Sequence, residues 1–178
     1  MTQVYIPSCL RPIDNDGLKT LAEQGKANPD TIKTLKSKTV LEGQFKNFNY
    51  VRNLPPIVVD EPPGLLGEDT APNPSEMALL SLGSCLSVGI QANATARGIA
   101  LHKLEISLEG DINITAVWGT GDVDPNKLLG VREVRAFFDI QADCSKEELE
   151  ELVQHAIKWS PVANTYLNKV PVISTLVS

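Results

Sequence analysis

Polar and apolar positions alternate most cleanly in two segments of the second half of the chain. In LHKLEISLEGDINITAVWG, Leu104, Ile106 and Leu108 oppose Glu105, Ser107 and Glu109. In VREVRAFFDIQAD, Val134, Ala136, Phe138 and Ile140 share one face. A period of two belongs to half-buried strands, so the pair predicts two long antiparallel strands joined by the turn-rich GTGDVDPNKLLG. The period then lengthens to that of a helix. Leu149, Leu152, Val153, Ala156 and Ile157 form one apolar stripe, Ser145 and Glu148 have capping-box spacing, and Pro161 stops the helix near Trp159. The closing KVPVISTLVS predicts a last strand.

Between Met77 and Ile90 the pattern has no polar face at all. Asn73 suits an N-cap, Pro74 the first turn and Glu76 the position three after the cap, while Gly98 suits a C-terminal stop. A helix over 74–97 follows, about 36 Å long at 1.5 Å per residue. Being apolar or small all round, it must be buried all round, and Gly83, Ser84, Ser87 and Gly89 let other backbones come close. Upstream, residues 52–74 hold six of the twelve prolines, which excludes a helix and leaves a short strand at Ile57–Asp60. TVLEGQFKNFNYV (39–51) predicts a strand. DNDGLKTLAEQG and NPDTIKTLKS predict two short helices, the second with Asn28 as cap and Pro29 in its first turn. Strands combined with one fully buried and one amphipathic helix make an α+β fold.

Composition narrows the classes of function. The 178 residues, 42% hydrophobic and 21% charged, suit one domain with a real core. The net charge is −6 and the five arginines are scattered, so nucleic acid is not an expected partner. MTQVYIPSCLRPIDNDG lacks a basic start and an apolar run, so no signal peptide is expected. Met77–Ala96 is long enough to span a bilayer, but its serines and glycines, with Gln91, Asn93 and Thr95, fit a buried helix of a soluble protein. Three unclustered cysteines, Cys9, Cys85 and Cys144, argue against a disulfide scaffold and a zinc site, and for reduced thiols in the cytoplasm. His102 and His155 read as surface residues. With no ligand cluster, phosphate loop or nucleophile elbow, neither a metal nor a cofactor is expected.

Cys85 is the residue that could carry chemistry. A free cysteine in a buried helix is commonly a small hydrophobe. Against that stands an uncharged helix preceded by a loop holding Arg52, Asp60, Glu61, Glu68 and Asp69. DEPPGLLGEDTAPNPSEMALLSLGSCLSVGIQANATARGIALHKLEISLEGD resembles the OsmC/Ohr superfamily: a loop ending in Pro-Asn-Pro, a cysteine-bearing helix, then ARGI and a strand ending in EGD. The resemblance continues through LGVREVRAFFDIQADCSKEELEELVQHAIKWSPVANTYLNKVPV. It covers about residues 37–178, leaving 1–36 as an N-terminal helical extension.

The resemblance implies an OsmC-like fold, an intertwined homodimer in which curved antiparallel sheets wrap two long central helices. It also implies thiol-dependent reduction of organic hydroperoxides. Cys85 matches the cysteine that attacks the peroxide and becomes a sulfenic acid. In the family an arginine supports that thiolate and a glutamate at the helix start holds the arginine; Arg52 and Glu76 are the matching candidates here. A thiol at its reference pKa near 8.5 is only about 3% thiolate at pH 7, which is why a cation is called for. Two departures stand out. The family's resolving cysteine precedes a proline after the later helix, and here Ser160 occupies that position, in WSPVAN. The family's glutamate directly follows Asn-Pro, and here that residue is Ser75, with Glu76 one later. A serine cannot form a disulfide, so an external thiol would have to reduce Cys85 directly. Cys144, before the capped helix, reads as a strand-end residue rather than a resolving thiol. Two functions stay open: a one-cysteine peroxidase for organic hydroperoxides, or a non-peroxidase relative binding a small apolar or electrophilic molecule at the dimer interface.

Overall fold

The computed structural model describes residues 9–177; the first eight residues of the predicted N-terminal extension, and Ser178, lie outside the described residues. The chain folds as two compact units. One takes in the chain up to Glu23 with Ser81–Leu108 and Arg135 onward, the other Gln24–Leu80 and Glu109–Val134. In order along the chain come α1 (Asn15–Ala27), β1 (Lys38–Gly43), β2 (Lys46–Tyr50), β3 (Ile57–Val59), α2 (Pro74–Arg97), β4 (Leu101–Asn113), β5 (Gly130–Ala142), α3 (Lys146–Trp159) and α4 (Pro161–Leu167). This is the α+β class.

In the first unit the core is built from one stripe of α2 and one of α3. Ile90, Ala94, Leu101, Leu152 and Ala156 form its buried centre, with Leu104, Ile106, Phe138 and Ile140 packed against it from β4 and β5. These are the inward positions of the predicted alternation. The strands pair antiparallel: the Asp143 N–H donates to the Ala100 carbonyl and Lys103 reaches Asp139. Gly89 fixes how closely α3 can lie on α2. A β-carbon there would come within 3.3 Å of the Ala156 β-carbon, so any larger side chain would push the helices apart.

The second unit holds a three-stranded antiparallel sheet in the order β1-β2-β3. The segment 39–51, expected as one strand, is a hairpin. Gln44 takes a left-handed φ of 46° in a two-residue turn, and Val40 pairs with Phe48. Glutamine carries none of the Asn-Gly or Asp-Gly signal that marks such turns. In this unit Phe45 stacks on Trp118, with ring centroids 5.0 Å apart.

Three more expectations are corrected. The second N-terminal helix does not form, and Asn28 instead closes α1: its N–H and its side-chain amide both donate to the Gln24 carbonyl. Ile32 and Leu35 beyond it are almost fully exposed, so no apolar burial stabilises a helix there. The closing segment forms no strand through residue 177, and Val172 and Ile173 stand in solvent. α2 has the predicted bounds, and Leu82, Leu86, Ile90 and Ala94 on it are buried. It is not buried all round within this chain, since Ser81, Ser84 and Val88 remain exposed.

Candidate active site

Asn73 and Glu76 start α2 with a reciprocal capping box. The Asn73 N–H donates to Glu76 Oε2 and the Glu76 N–H to Asn73 Oδ1, both at 2.8 Å. The helix then carries no charge until Arg97, and Cys85 lies half-buried between Leu82 and Leu86. Gly89 on α2 meets Ala156 on α3, and one turn away Cys85 meets Ser160 at the end of α3. Numbers fall along one helix as they rise along the other, so α2 and α3 run antiparallel. That packing delivers the end of α3 to the cysteine.

Ser160 ends α3 and starts α4. Its backbone is extended, its Oγ accepts from the Ala163 N–H at 3.0 Å, and Pro161 occupies the first turn of the new helix. Asn164 Nδ2 ties the junction down by donating to the carbonyls of Lys158 and Ser160. With an oxygen lone pair given to Ala163, the hydroxyl hydrogen is free to point elsewhere. It donates to Cys85 Sγ at 3.1 Å, and Ser160 is buried. Ser-Pro after a helix is an N-cap signature. It is legible in WSPVAN, although α4 itself, at seven residues, is too short for its period to be read.

The other sequence candidates stand elsewhere in the chain. Arg52 belongs to the second unit, in the turn after β2, where it is exposed at a left-handed φ of 54°. No ion pair joins Arg52 to Glu76 among the described residues, and the Glu76 carboxylate is engaged by its capping box. Cys144 lies between β5 and α3, and burial, with Glu148 and Asp143 close by, pushes its thiol up. A raised thiol is a poorer nucleophile at neutral pH. All three cysteines are free thiols. His102 Nε2 lies 2.8 Å from Asp143 Oδ1, and His155 packs at an angle on Trp159.

Two functional-looking residues gave no periodic signal. Asp60 and Glu61 follow β3 and are both buried. Asp60 accepts from the Thr70 hydroxyl, the Thr70 N–H and the Glu61 N–H, and these bonds hold its carboxyl below the ordinary range. Glu61 goes the other way. Burial pushes its carboxyl up, with Glu76 and Asp60 adding to the effect, and its Oε2 has no hydrogen-bond partner among the described residues.

Known proteins share this architecture. An OsmC-like protein from Mycoplasma pneumoniae superposes with a TM-score of 0.65 at 20% identity, over 77% of this chain and 89% of that one. The OsmC organic hydroperoxide resistance protein of Legionella pneumophila gives 0.57 at 21% identity, over 76% and 90%. An organic hydroperoxide resistance protein from Elizabethkingia anophelis gives 0.54 at 17%, over 76% and 89%. No curated protein sequence matches the chain. The sequence model of the OsmC-like proteins matches residues 67–175, from the loop before α2 through α4 and beyond. The matched stretch contains the capping box of α2, Cys85 and Ser160, and the chain belongs to the family of OsmC-like proteins.

Proposed function

We propose that this chain is a one-cysteine, thiol-dependent peroxidase that reduces organic hydroperoxides, with Cys85 as the attacking sulfur. The observation that carries the reading is the 3.1 Å hydrogen bond from Ser160 to Cys85. A buried hydroxyl is aimed at the sulfur from the position at which the resolving cysteine of the family would act. The thiolate attacks the terminal oxygen of R–O–OH and the O–O bond breaks. The alcohol leaves with a proton from solvent, and the sulfur, oxidised by two electrons, becomes a sulfenic acid. An external thiol then attacks that sulfur and releases water. A second thiol frees Cys85 and leaves as a disulfide.

Ser160 can join neither step as a reductant, so the sulfenic acid must survive until the external thiol arrives. Arg52 is proposed as the thiolate's electrostatic support and Glu76 as that arginine's holder. No bound cofactor or metal takes part in this scheme, and its setting is a reducing cytoplasm.

Treatment with about one equivalent of cumene hydroperoxide in the presence of a sulfenate trap, followed by mass spectrometry, should find the trap on Cys85. A Cys85–Cys144 disulfide would restore a two-cysteine cycle and overturn the one-cysteine scheme. No oxidation of Cys85, under conditions where free cysteine reacts, would remove the peroxidase reading. It would leave a non-peroxidase protein that binds a small apolar or electrophilic molecule.

The same reading includes a homodimer in which residues 37–178 form the working domain and residues 1–36 an extension. Its support is the uncharged outer face of α2, where Val88 is 69% exposed in the single chain. Sedimentation at micromolar concentration should give twice the chain mass. A well-folded monomer would remove the shared interface.

A further inference from the structure

The second unit contains a cavity of about 220 Å³ with an unusual lining. Its walls are mostly apolar, supplied mainly by Leu65, Ile112, Ile114, Val117, Trp118 and Leu129, with Asn73, Ser75 and Asn113 adding polar groups. Glu61 also lines it, 8% exposed, with Oε2 unpartnered among the described residues. An ionised carboxylate without a partner is costly to bury, so a buried orphan calls for a ligand or a proton.

Glu61 is not free to turn away. The Asp69 N–H donates to the Glu61 carbonyl, and Gly67 packs so tightly on the Glu61 backbone that no β-carbon would fit there. Asp60, bonded to Thr70 and to the Glu61 N–H, locks the loop from the other side. The backbone that carries the acid is therefore fixed before any ligand arrives, which lowers the ordering cost of binding.

The charge on the lining and on the groups acting on Glu61 has one sign. No lysine or arginine lines the cavity, and the groups acting on Glu61 are the carboxylates Asp60 and Glu76. An anion is disfavoured and a cation favoured. Trp118 stacks on Phe45 and also borders the cavity, so an indole and a carboxylate flank the same space. That pair suits an ammonium group carried on an apolar body. An apolar cavity of about 150 Å³ accepts benzene, so this one has room for a ring and a short arm.

We infer that this cavity binds a small organic ammonium ion, an apolar ring or chain bearing a primary amine, with Glu61 as its counter-ion. Neither Cys85 nor Ser160 lines this cavity. The test of the site does not depend on peroxidase activity.

The chain has two tryptophans, and Trp159→Phe leaves Trp118 as the only indole reporter. In that background 2-phenylethylamine should change Trp118 fluorescence saturably. The uncharged 2-phenylethanol should bind about thirtyfold more weakly, and 3-phenylpropanoate should not bind. Glu61→Gln, which keeps shape and removes charge, should remove the preference for the amine over the alcohol. Because the carboxyl is pushed up, acidification protonates it, and amine affinity should fall as pH is lowered through that transition while alcohol affinity stays level. Equal affinity for amine and alcohol, or amine binding unchanged in Glu61→Gln, overturns the assignment, as does no saturable response to the amine. If Glu61→Gln does not fold, the ligand series and its pH dependence on the otherwise native chain decide the matter alone.

Discussion

Ser160→Cys is expected to turn the protein into a two-cysteine hydroperoxide reductase, with turnover on dithiol reductants rising by about tenfold or more. In the native chain the Ser160 oxygen already lies 3.1 Å from Cys85 Sγ, while a disulfide needs a separation of about 2.05 Å. The difference is a small movement of two side chains whose backbones are held by α2 and by the α3–α4 junction. Once Cys85 is oxidised, a neighbouring thiol attacks it within the same molecule rather than by diffusion, and a dithiol then reduces the resulting disulfide. The substitution weakens the cap on α4, since a thiol accepts the Ala163 N–H less well, at a cost of about 1 kcal/mol. Ser160→Ala is the control. It loses the same cap and the donor to sulfur but gains no thiol, so it should be slightly less stable and slower, with Cys85 still trapped as sulfenic acid. Peroxide-treated Ser160→Cys is read on a non-reducing peptide map. If Cys85 is oxidised and no disulfide forms between it and the introduced thiol, the contact between α2 and Ser160 is not the one described. If the disulfide forms and turnover stays absent, the deficit lies in activation of the Cys85 sulfur rather than in its resolution.

What is legible in the chain divides along a physical line. Where local chemistry and long-range packing agree, the sequence shows both. Asn73, Pro74, Glu76 and Gly98 bound α2, Ser145 and Glu148 start α3, and the alternations around Ile106 and Phe138 mark β4 and β5 with their inward faces. Where structure depends on a neighbour, periodicity misleads. Val170, Val172 and Ile173 look like a strand but pair with nothing within the described chain, and Ile32 and Leu35 look like a helix face with nothing to bury against. Short features fall below the length at which a period can be seen, as with α4 and the turn at Gln44. The site divides in the same way. Cys85 and Ser160 are visible through motif order, whereas their contact follows from the antiparallel register of α2 on α3. Glu61 carries no local signal, because its burial comes from the way Asp60, Gly67 and Thr70 fold the proline-rich loop around it.

That register rests on a few side chains, and Leu152→Ala should therefore be the most damaging single truncation in the first unit. Leu152 and Ile90 are both 0% exposed, and they share the buried cluster with Ala94, Leu101 and Ala156. The small residues in that cluster cannot swing in to fill the space, so a large part of the cavity left by the leucine should persist. The expected loss is about 2–5 kcal/mol, against a total stability of about 5–15 kcal/mol for a domain. For a chain of this size each kcal/mol shifts Tm by about 2–4 °C, which puts the drop at roughly 10 °C. Leu35→Ala removes the same atoms from a residue 92% exposed and should stay within about 0.5 kcal/mol of the native chain. Urea unfolding followed by circular dichroism measures both. A Leu152→Ala loss below about 1 kcal/mol would mean that α3 does not pack on α2 as described, and the placement of Ser160 against Cys85 would fall with it. A loss in the expected range accompanied by a weaker Ser160–Cys85 contact, read as slower trapping of Cys85 after peroxide, would tie the core to the chemistry: the leucine that stabilises the unit would also be the one that holds the hydroxyl at the sulfur.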